Sequence, residues 1–402
     1  MSPPPKSVSE TIRGIATSLA PRLIEIRRHI HAFPELSGQE WQTSAYVAGV
    51  LSSCGLTVRE AVGKTGVVAD WGKADTPFLG VRADLDALPI QEAAPVEYHS
   101  RIPGVMHACG HDVHTTVALG TAMVLAALPE PLPGRVRFLF QPAEETAQGA
   151  RWMIEDGALE QVMAVLGLHV WPALPGGTIG IRYGALTAAA DELDLTILGE
   201  SGHGARPHEA IDAVWIAAQV IANLQQAISR TQNPLRPVVL TIGKIQGGRA
   251  PNVIADQVRL WGTVRSLHPE TRAQLPQWIE GIVQNTCATY RARYTLQYKT
   301  GVPGVHNDPH LTQLVEQSAR TAWGAERVQI LTEPSLGAED FALYLERVPG
   351  TMFRLGTGIP GQPYYSLHHP KFTVDETAIL TGVVTMATTV WNFWQQKMAQ
   401  SS

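Results

Sequence analysis

A cysteine and two histidines stand close together in the segment MHACGHDVHTT, just before a predicted helix. Cys109, His111 and His114 lie within six residues, with Asp112 among them. A cysteine and a histidine with one residue between them can both turn toward one ion in an irregular loop, and thiolate and imidazole are good ligands for zinc and similar metals. The pattern therefore indicates a metal site. The alternative is an ordinary helix start with Asp112 as the N-cap residue.

Two adjacent glutamates, Glu144 and Glu145, follow a β-rich run in FLFQPAEETAQGA. Adjacent side chains need not point the same way, so one carboxylate can bind a metal while the other accepts a proton from water. This division of roles is typical of metal-assisted hydrolysis. The alternative is a solvated acidic pair at a helix start, where the helix dipole favours carboxylates.

Further candidate groups lie at predicted strand ends or in a late loop. His169 is expected at the end of the apolar strand VMAVLGLHV, and in open α/β sheets ligands bind beyond the carboxyl ends of strands. Asp84 and Asp86 lie at the end of the strand FLGVRAD, where an aspartate could bind a metal, orient a histidine ligand or form a turn. His368 and His369 lie together in LHHPKF. Each group has an ordinary structural explanation, whereas their combination in one chain favours a metal centre.

These groups need a scaffold that brings strand ends together. Residues 1–187 alternate predicted strands and helices, which predicts a layered α/β domain with a mixed central sheet and flanking helices. From residue 188 the order becomes βαββαβ, which predicts an inserted ferredoxin-like α+β domain over 188–300. Residues 301–402 are expected to return to the first domain. The first helix is expected to be interrupted near Pro21, after a loose tail over residues 1–8.

The composition is that of a globular protein. The 402 residues are 45% hydrophobic and 17% charged, with a formal net charge of −5. Nothing here attracts a polyanion, so nucleic acid is not expected as a partner. Three cysteines do not make a disulfide framework, which favours a reducing compartment. Because the longest apolar run, about twelve residues, is too short to span a bilayer, we expect a cytoplasmic protein without a membrane partner.

The order of motifs resembles that of the two-domain metal-dependent amidohydrolases and carboxypeptidases, which include aminoacylases, hippurate hydrolases and indole-acetyl-amino-acid hydrolases. The resemblance covers nearly the whole chain, from RRHIHAFPELSGQE onward. The motifs that carry it are, in order, GVRADLDALPI, MHACGHDVHTT, FQPAEE, GLHVWP, GHGARPH, GGRAPNVIAD, GTVRS, GAEDFALY and LHHPKF. The Cys-Gly-His form resembles the hippurate and auxin-conjugate hydrolase branch, where a thiolate replaces the bridging aspartate of other branches.

For this chain the resemblance implies a centre of two divalent metal ions, manganese or zinc, with cobalt or nickel as alternatives. It makes Cys109 the bridge between the ions. The further ligands that it implies are His111, Glu145, His169 and His368. Glu144 matches the general base, and Asp84 matches the acidic residue behind the ligands. His368 fits the motif histidine, whereas His369 stands where a small polar residue is more usual.

The resemblance also implies roles for the inserted domain. His203 in ESGHGARPH is similar to a histidine that reaches into the partner subunit's site and steadies the tetrahedral oxyanion, so a homodimer is expected. Asn252 and Arg265 match positions that bind the substrate carboxylate, a task for which the planar fork of arginine is suited. For Arg265 the alternative is a surface ion pair.

The implied reaction is hydrolysis of the amide bond of a small-molecule N-acyl amino acid, which releases a carboxylic acid and an amino acid. Glu144 would deprotonate a metal-bound water, and the hydroxide would attack the carbonyl before the proton passes to the leaving amine. Two other functions stay open: a dipeptidase, aminopeptidase or N-acetyl-diaminopimelate-type deacetylase on the same scaffold, and an inactive metal-binding protein. The spare carboxylate of Glu144 favours turnover, because a structural metal site does not need it.

Overall fold

The computed structural model describes residues 7–72 and 75–401. The chain divides into two compact units, the first from the described parts of Met1–Leu186, His306–Glu333 and Asp340–Ser402, and the second from Thr187–Val305 and Pro334–Glu339. Most of the tail predicted over residues 1–8 lies outside the described residues. The prediction is wrong for its last two positions, because Ser7 caps the first helix through a capping box with Glu10, and Val8 begins it.

The helices and strands are numbered in chain order. The described helices are α1 (Val8–Ala32), α2 (Trp41–Ser53), α3 (His111–Ala126), α4 (Gly149–Glu155), α5 (Ala213–Thr231), α6 (Pro269–Thr289), α7 (Pro309–Trp323), α8 (Ala342–Leu345) and α9 (Ala378–Ser401). The described strands are β1 (Thr57–Val62), β2 (Gly66–Trp71), β3 (Phe78–Asp84), β4 (Arg135–Gln141), β5 (Val162–Pro175), β6 (Ile179–Ile181), β7 (Gly184–Ala185), β8 (Ala189–Leu198), β9 (Gly202–His203), β10 (Val238–Gly247), β11 (Val253–Ile254), β12 (Gln257–Ser266), β13 (Arg293–Lys299), β14 (His306–Asn307), β15 (Val328–Ile330) and β16 (Gly350–Gly358).

The first unit is built on an eight-stranded mixed sheet in the order β1-β2-β4-β3-β5-β16-β6-β15. The central pairs β4–β3, β3–β5 and β5–β16 are parallel, whereas β1–β2, β2–β4 and β16–β6 are antiparallel. Every residue of β3 is buried, as expected for a strand covered on both faces. Helices α1, α3, α7 and α9 contribute side chains to the same hydrophobic core. The predicted α/β class with a mixed sheet and flanking helices is confirmed.

Helix α1 continues through Pro21, so the predicted interruption is wrong. A proline inside a helix removes one backbone hydrogen bond and destabilises it. The apolar face, however, runs along the whole helix, from Ile12 and Ala16 before the proline to Leu23 and Ile30 after it, and these residues are buried in the core. Their packing against neighbouring helices holds the segment in one piece.

Strand β5 runs past His169 to Pro175, whereas the sequence predicted a strand ending at the histidine. The extension has a partner on one side only. Parallel pairing with β16 continues to Pro175 opposite Gly358, but pairing with β3 stops at Gly167. His169 therefore lies where β5 has left one of its two neighbours.

The second unit contains a four-stranded antiparallel sheet in the order β10-β12-β8-β13. Its long strands and two helices follow one another as β8, α5, β10, β12, α6, β13. Burial alternates along β8, so one face of this sheet is covered by apolar residues and the other is more exposed. The short strands β9 and β11 pair separately and bring His203 opposite Val253.

Among the described helices, none combines the length and the apolar character that crossing a membrane would require.

Candidate metal centre

Five donor side chains from separate parts of the first unit converge beyond the carboxyl ends of β3 and β4 and beside β5. Cys109 and His111 come from the loop before α3 and its first residue, Glu145 follows β4, His169 lies in β5, and His368 lies in the loop after β16. Cys109, His111 and His169 are buried, whereas the His368 side chain is 51% exposed. The cluster thus has a buried floor and one open side.

Two groups of potential ligand atoms overlap at Cys109. Cys109, His111 and His169 offer atoms within 4.8 Å of one another, and so do Cys109, Glu145 and His368. The Cys109 Sγ lies 3.5 Å from the His169 Nε2, and the Glu145 Oε1 lies 3.4 Å from the His368 Nε2. Cys109 is therefore the donor that the two groups share.

Unpartnered buried atoms indicate that the cluster fits metal ions. The His111 Nε2 and the Glu145 Oε1 are buried without a hydrogen-bond partner among the described residues, although they lie 3.8 Å apart. The His169 Nδ1 lies 2.8 Å from the Val170 carbonyl oxygen, to which it donates, so its Nε2 faces Cys109 with a lone pair. Thiolate, imidazole and carboxylate donors suit zinc and neighbouring transition metals.

The electrostatics of the cluster follow from its burial. Burial raises the pKa of the Cys109 thiol to about 12, and the charge of Glu145 adds to this. Burial and the nearby His114 lower the pKa of His169 well below its usual value. For His111, burial acts to lower the pKa, but the charge of Asp84 and the hydrogen bond with Asp86 raise it well above the usual value. Without a metal, the thiol is therefore protonated and His169 neutral at neutral pH.

The loop that carries Cys109 requires a glycine at its end. Gly110 has φ +82°, and an added Cβ would press into the Val170 side chain, so a larger residue is excluded. Gly110 is the N-cap position of α3, and Asp112 is not; the carboxylate of Asp112 instead forms a buried ion pair with Arg27, with 2.8 Å between Oδ2 and Nε. This tight turn places Cys109 and His111 on the same side of the loop.

Asp86 contacts the cluster directly, although the sequence motifs gave the role behind the ligands to Asp84 alone. The His111 Nδ1 lies 2.8 Å from the Asp86 carbonyl oxygen and 3.2 Å from its Oδ1, while the Glu145 backbone N–H donates to its Oδ2. Asp84 lies deeper, 3.7 Å from the His111 Nε2, and binds His114 and Arg82. Asp86 therefore orients two candidate ligands, whereas Asp84 supports the layer beneath them.

Glu144 and Glu145 lie in a tight turn after β4. An added Cβ at Gly149 would overlap the Pro142 carbonyl oxygen, so the turn closes only with glycine there. The Ala143 backbone N–H donates to the buried Glu40 carboxylate at 2.9 Å, which anchors the turn. The Glu144 side chain is 9% exposed, with its Oε2 3.9 Å from the His111 Nε2. The two carboxylates thus reach the same donor cluster from adjacent positions.

The structure brings His368, and not His369, to this cluster. The His368 backbone N–H donates to the Ala108 carbonyl oxygen at 2.8 Å. The residue has φ +66°, a backbone conformation that is uncommon for residues other than glycine. The His369 Nδ1 instead accepts from the Lys371 backbone N–H, and its ring stacks on Tyr365. The His369 ring therefore makes its hydrogen bond and its stacking contact within its own loop.

The three candidate residues of the inserted segment all lie in the second unit. His203 and Asn252 are exposed and lie close together, because the Gly204 N–H donates to the Asn252 carbonyl oxygen at 2.8 Å. The His203 Nδ1 accepts from the Ala205 N–H at 3.0 Å. Arg265 is half-buried on β12, and its Nη1 is buried without a hydrogen-bond partner among the described residues.

Three curated relatives of this chain are named as a hydrolase, a deacetylase and an amidohydrolase. The chain is 67% identical over 387 residues to a probable hydrolase of Synechocystis, covering 96% of this chain and 98% of that protein. It is 42% identical to the N-acetyl-L-cysteine deacetylase of Bacillus subtilis, covering 90% and 86% of the two chains. It is also 42% identical to the N-acyl-L-amino acid amidohydrolase of Geobacillus stearothermophilus, covering 74% and 81%.

A solved structure and a family model agree with these relatives. The crystal structure of the YXEP protein of Bacillus subtilis, a dinuclear metal-binding peptidase from family M20, has a TM-score of 0.83 and 36% identity, covering 94% of this chain and 99% of that one. The model of peptidase family M20/M25/M40 matches residues 80–392. These matches confirm the resemblance drawn from the sequence motifs. The chain therefore belongs to peptidase family M20/M25/M40.

Proposed function

We propose that this protein is a metal-dependent amidohydrolase that cleaves N-acyl amino acids into a carboxylic acid and an amino acid. The observation that carries the proposal is the pair of donor groups that share Cys109, with Glu144 next to a candidate ligand. Relatives named as an N-acetyl-L-cysteine deacetylase and an N-acyl-L-amino acid amidohydrolase support this substrate class.

Two divalent ions, manganese or zinc, would be held by Cys109, which the two donor groups share, and by four further ligands. Those four are His111, Glu145, His169 and His368. When bound, such ions polarise the amide carbonyl and make a water molecule more acidic. Cobalt and nickel suit the same donors.

Glu144 acts as the proton carrier of the reaction. Its carboxylate accepts a proton from the attacking water as the new C–O bond forms, and it then delivers that proton to the amide nitrogen, so that the C–N bond of the tetrahedral adduct breaks and the amine leaves. Asp86 keeps Glu145 in place through the Glu145 backbone N–H. This contact fixes the backbone of Glu145, the proposed ligand, next to Glu144, the proposed proton carrier.

His203 is the proposed donor to the tetrahedral oxyanion in the partner subunit's site. Its Nδ1 accepts a backbone hydrogen bond, so in the neutral ring the proton is on Nε2, in an exposed position. A positioned donor of this kind contributes roughly 3 kcal/mol of transition-state stabilisation. The tautomer imposed by Ala205 supplies the donor that this role needs.

Arg265 and Asn252 are the proposed ligands of the substrate carboxylate. The buried Nη1 of Arg265 is a donor without a partner among the described residues, and such a donor costs free energy unless a ligand satisfies it. A carboxylate accepts two parallel hydrogen bonds from a guanidinium. This geometry favours an anionic amino-acid end over an uncharged one.

The domain roles are part of the same proposal. Residues 1–187 and 301–402 form the catalytic domain, and residues 188–300 form a ferredoxin-like lid and dimerisation domain, whose edge strands β10 and β13 could pair across a two-fold axis. The active protein is a cytoplasmic homodimer with a small-molecule substrate and without nucleic-acid or membrane partners. Light scattering that found a fully active monomer would remove the role of His203 in the partner's site.

The test combines metal analysis with a substrate panel. Protein purified without chelators is analysed by plasma mass spectrometry, and then assayed on N-acetyl, N-benzoyl and indole-acetyl amino acids beside simple dipeptides. We expect two metal ions per chain and turnover of the acyl amino acids. Turnover of dipeptides alone would favour a peptidase on this scaffold, and a metal-loaded protein inactive on the whole panel would contradict the proposal.

A further inference from the structure

His114 is a buried histidine beneath the metal centre to which the proposed function gives no role. It lies in α3 and is 1% exposed. Both of its ring nitrogens have a partner: Nδ1 lies 2.6 Å from the Asp84 Oδ1, and Nε2 lies 2.9 Å from the Val170 backbone nitrogen. The ring therefore connects the last residue of β3 with β5.

These two contacts determine where the proton of the ring lies. A backbone N–H only donates, so the Nε2 accepts from Val170 and carries no proton. Asp84 is ionised, because the Arg82 Nη1 lies 2.7 Å from its other carboxylate oxygen, and the Nδ1–H of His114 donates to it. Although His114 lies within reach of the donors Asp84 and His111, both of its nitrogens are occupied, and it is not available as a metal ligand.

The position of Val170 explains why an acceptor is needed there. Pairing between β3 and β5 ends at Arg82 opposite Gly167, while β5 continues along β16. Beyond that point the buried Val170 has no partner from β3, and a buried N–H without an acceptor costs about 1–3 kcal/mol. The His114 Nε2 takes the place of the missing strand.

Val170 in turn controls the orientation of His169. Its carbonyl oxygen accepts from the His169 Nδ1 at 2.8 Å, which turns the His169 Nε2 toward the Cys109 Sγ, 3.5 Å away. The N–H of Val170 is thus held by His114, and its carbonyl holds His169. A change in one contact moves the backbone that makes the other.

We propose that His114 is a positioning residue for His169: it ties β5 at Val170 to the end of β3 and so sets the direction in which the His169 Nε2 faces the metal centre. This inference rests on the proposed function, because it takes His169 to be a ligand.

Two substitutions separate the contact of His114 with Asp84 from its contact with Val170. The short amide of His114→Asn can still donate to Asp84 near the position of Nδ1, but it leaves the Val170 N–H without an acceptor. The longer side chain of His114→Gln carries its amide oxygen near the position of Nε2 and can accept from Val170. His107→Phe is the matched control, because His107 is equally buried in the preceding loop and its ring nitrogens have no hydrogen-bond partner among the described residues.

The first measurement uses the metal-free protein. The quantity measured is the rate of amide hydrogen exchange at Val170. We expect this rate to be at least tenfold higher in His114→Asn than in the wild type. In His114→Gln and His107→Phe the rate should stay within about threefold of the wild-type rate. Melting temperatures of the metal-free variants show that each is folded. Equal protection of the Val170 amide in the wild type and in His114→Asn would contradict the proposed role of the hydrogen bond between Val170 and His114.

The second measurement is a cobalt titration against a chromogenic chelator, with the cobalt–thiolate absorption recorded. We expect His114→Asn to lose about 10- to 100-fold in cobalt affinity, with an altered absorption band, and His114→Gln to recover most of this loss. Wild-type affinity and an unchanged band in His114→Asn would overturn the positioning role. If the wild type bound no cobalt, zinc or manganese, the proposed function would fail. Amide hydrogen exchange at Val170 would still decide whether His114 links β5 to the end of β3.

Discussion

The Sγ of Cys109 lies 3.5 Å from the Nε2 of His169, although the two residues are 60 positions apart in the chain. The contact joins the loop before α3 to β5. Because the thiol is buried and lies near Glu145, its pKa is raised to about 12, so it keeps its proton until a cation replaces it. Proton release and metal binding are therefore linked at this residue.

Metal affinity should rise with pH. Below pH 12 each metal pair must displace the Cys109 proton, so the apparent association constant should increase by up to tenfold per pH unit, and more steeply where His111, whose pKa is also raised, must lose a proton too. Calorimetry at pH 8 in buffers of different ionisation heat should show release of about one proton or more. Binding heats independent of the buffer would contradict a protonated thiol.

Replacing Glu144 by glutamine should stop turnover and spare the metal site. Without the carboxylate that moves the proton, kcat should fall about 10²- to 10⁴-fold, while the metal content of the purified protein stays unchanged. The exposed Glu155 in α4 offers a control, since Glu155→Gln should leave both quantities as they are. Turnover within a few-fold of wild type would show that another group carries the proton.

Arg265→Lys should weaken substrate binding more than chemistry. Lysine keeps the charge but loses the planar fork, and one lost charge-assisted hydrogen bond corresponds to a rise in KM of about ten- to a hundredfold. Arg259→Lys on the same strand is the control, because the Arg259 guanidinium is already paired with Asp194 at 2.6 Å. If amide analogues of the substrate, which lack the carboxylate, showed the same rise in KM, the assignment would be wrong.

The buried pair of Arg27 and Asp112 should dominate local stability near α3. Both side chains are at most 1% exposed, and breaking such a pair costs about 3–5 kcal/mol, so metal-free Asp112→Asn should unfold at much lower urea concentration. Although burial acts to raise the pKa of Asp112, Arg27 holds it below the usual range. Its stabilisation is thus fully present above the unfolded pKa of about 4 and is lost as pH falls below it.

A surface pair provides the comparison for this measurement. Arg22 and Glu25 lie 3.1 Å apart, with their side chains 54% and 66% exposed, and Glu25→Gln should change the free energy of unfolding by less than about 0.5 kcal/mol. A loss in Asp112→Asn no larger than the loss in Glu25→Gln would mean that the buried pair is stabilising neither α1 nor α3.

Two glycines should respond in opposite ways to alanine. Gly149→Ala forces the turn after β4 apart, because the new methyl group overlaps the Pro142 carbonyl oxygen; we expect a loss of about 1–3 kcal/mol and weaker metal binding by Glu145. Gly14 lies in α1, and a Cβ added there would meet no atom within 4 Å beyond the nearby backbone of its own helix. Gly14→Ala should therefore stabilise the folded protein by up to about 1 kcal/mol. Urea unfolding of both variants is the measurement, and a neutral Gly149→Ala would show that the turn relaxes freely.

Local patterns in the sequence predicted the α/β class, and together with the family resemblance they indicated which donors lie close together. The spacing of Cys109 and His111 and the adjacent carboxylates of Glu144 and Glu145 are local, and parallel strands present their carboxyl ends at one edge of a sheet. The βαββαβ order of the second unit was equally readable, because alternation in β8 and the apolar face of α5 are periodic features.

Other features depended on contacts between distant segments. The extension of β5 beyond His169 is set by β16, and the continuity of α1 through Pro21 is set by packing against helices late in the chain. The role of Asp86 was not identified from the sequence, because Asp86 follows Asp84, the last residue of β3, by two positions and the two differ only in which neighbours surround them. Tertiary packing, and not local preference, decided each of these cases.

The division of the first unit by the second has a consequence for synthesis of the protein. Four of the candidate ligands, from Cys109 to His169, leave the ribosome before the segment Thr187–Val305, whereas β16 and His368 follow it. The second unit is almost continuous in the chain and can fold as it emerges, but the central sheet has to wait with one edge of β5 unpaired. A nascent chain would therefore expose a thiol and three other donors in an open half-site, and a metal captured then would be held without its last ligand until translation is nearly complete.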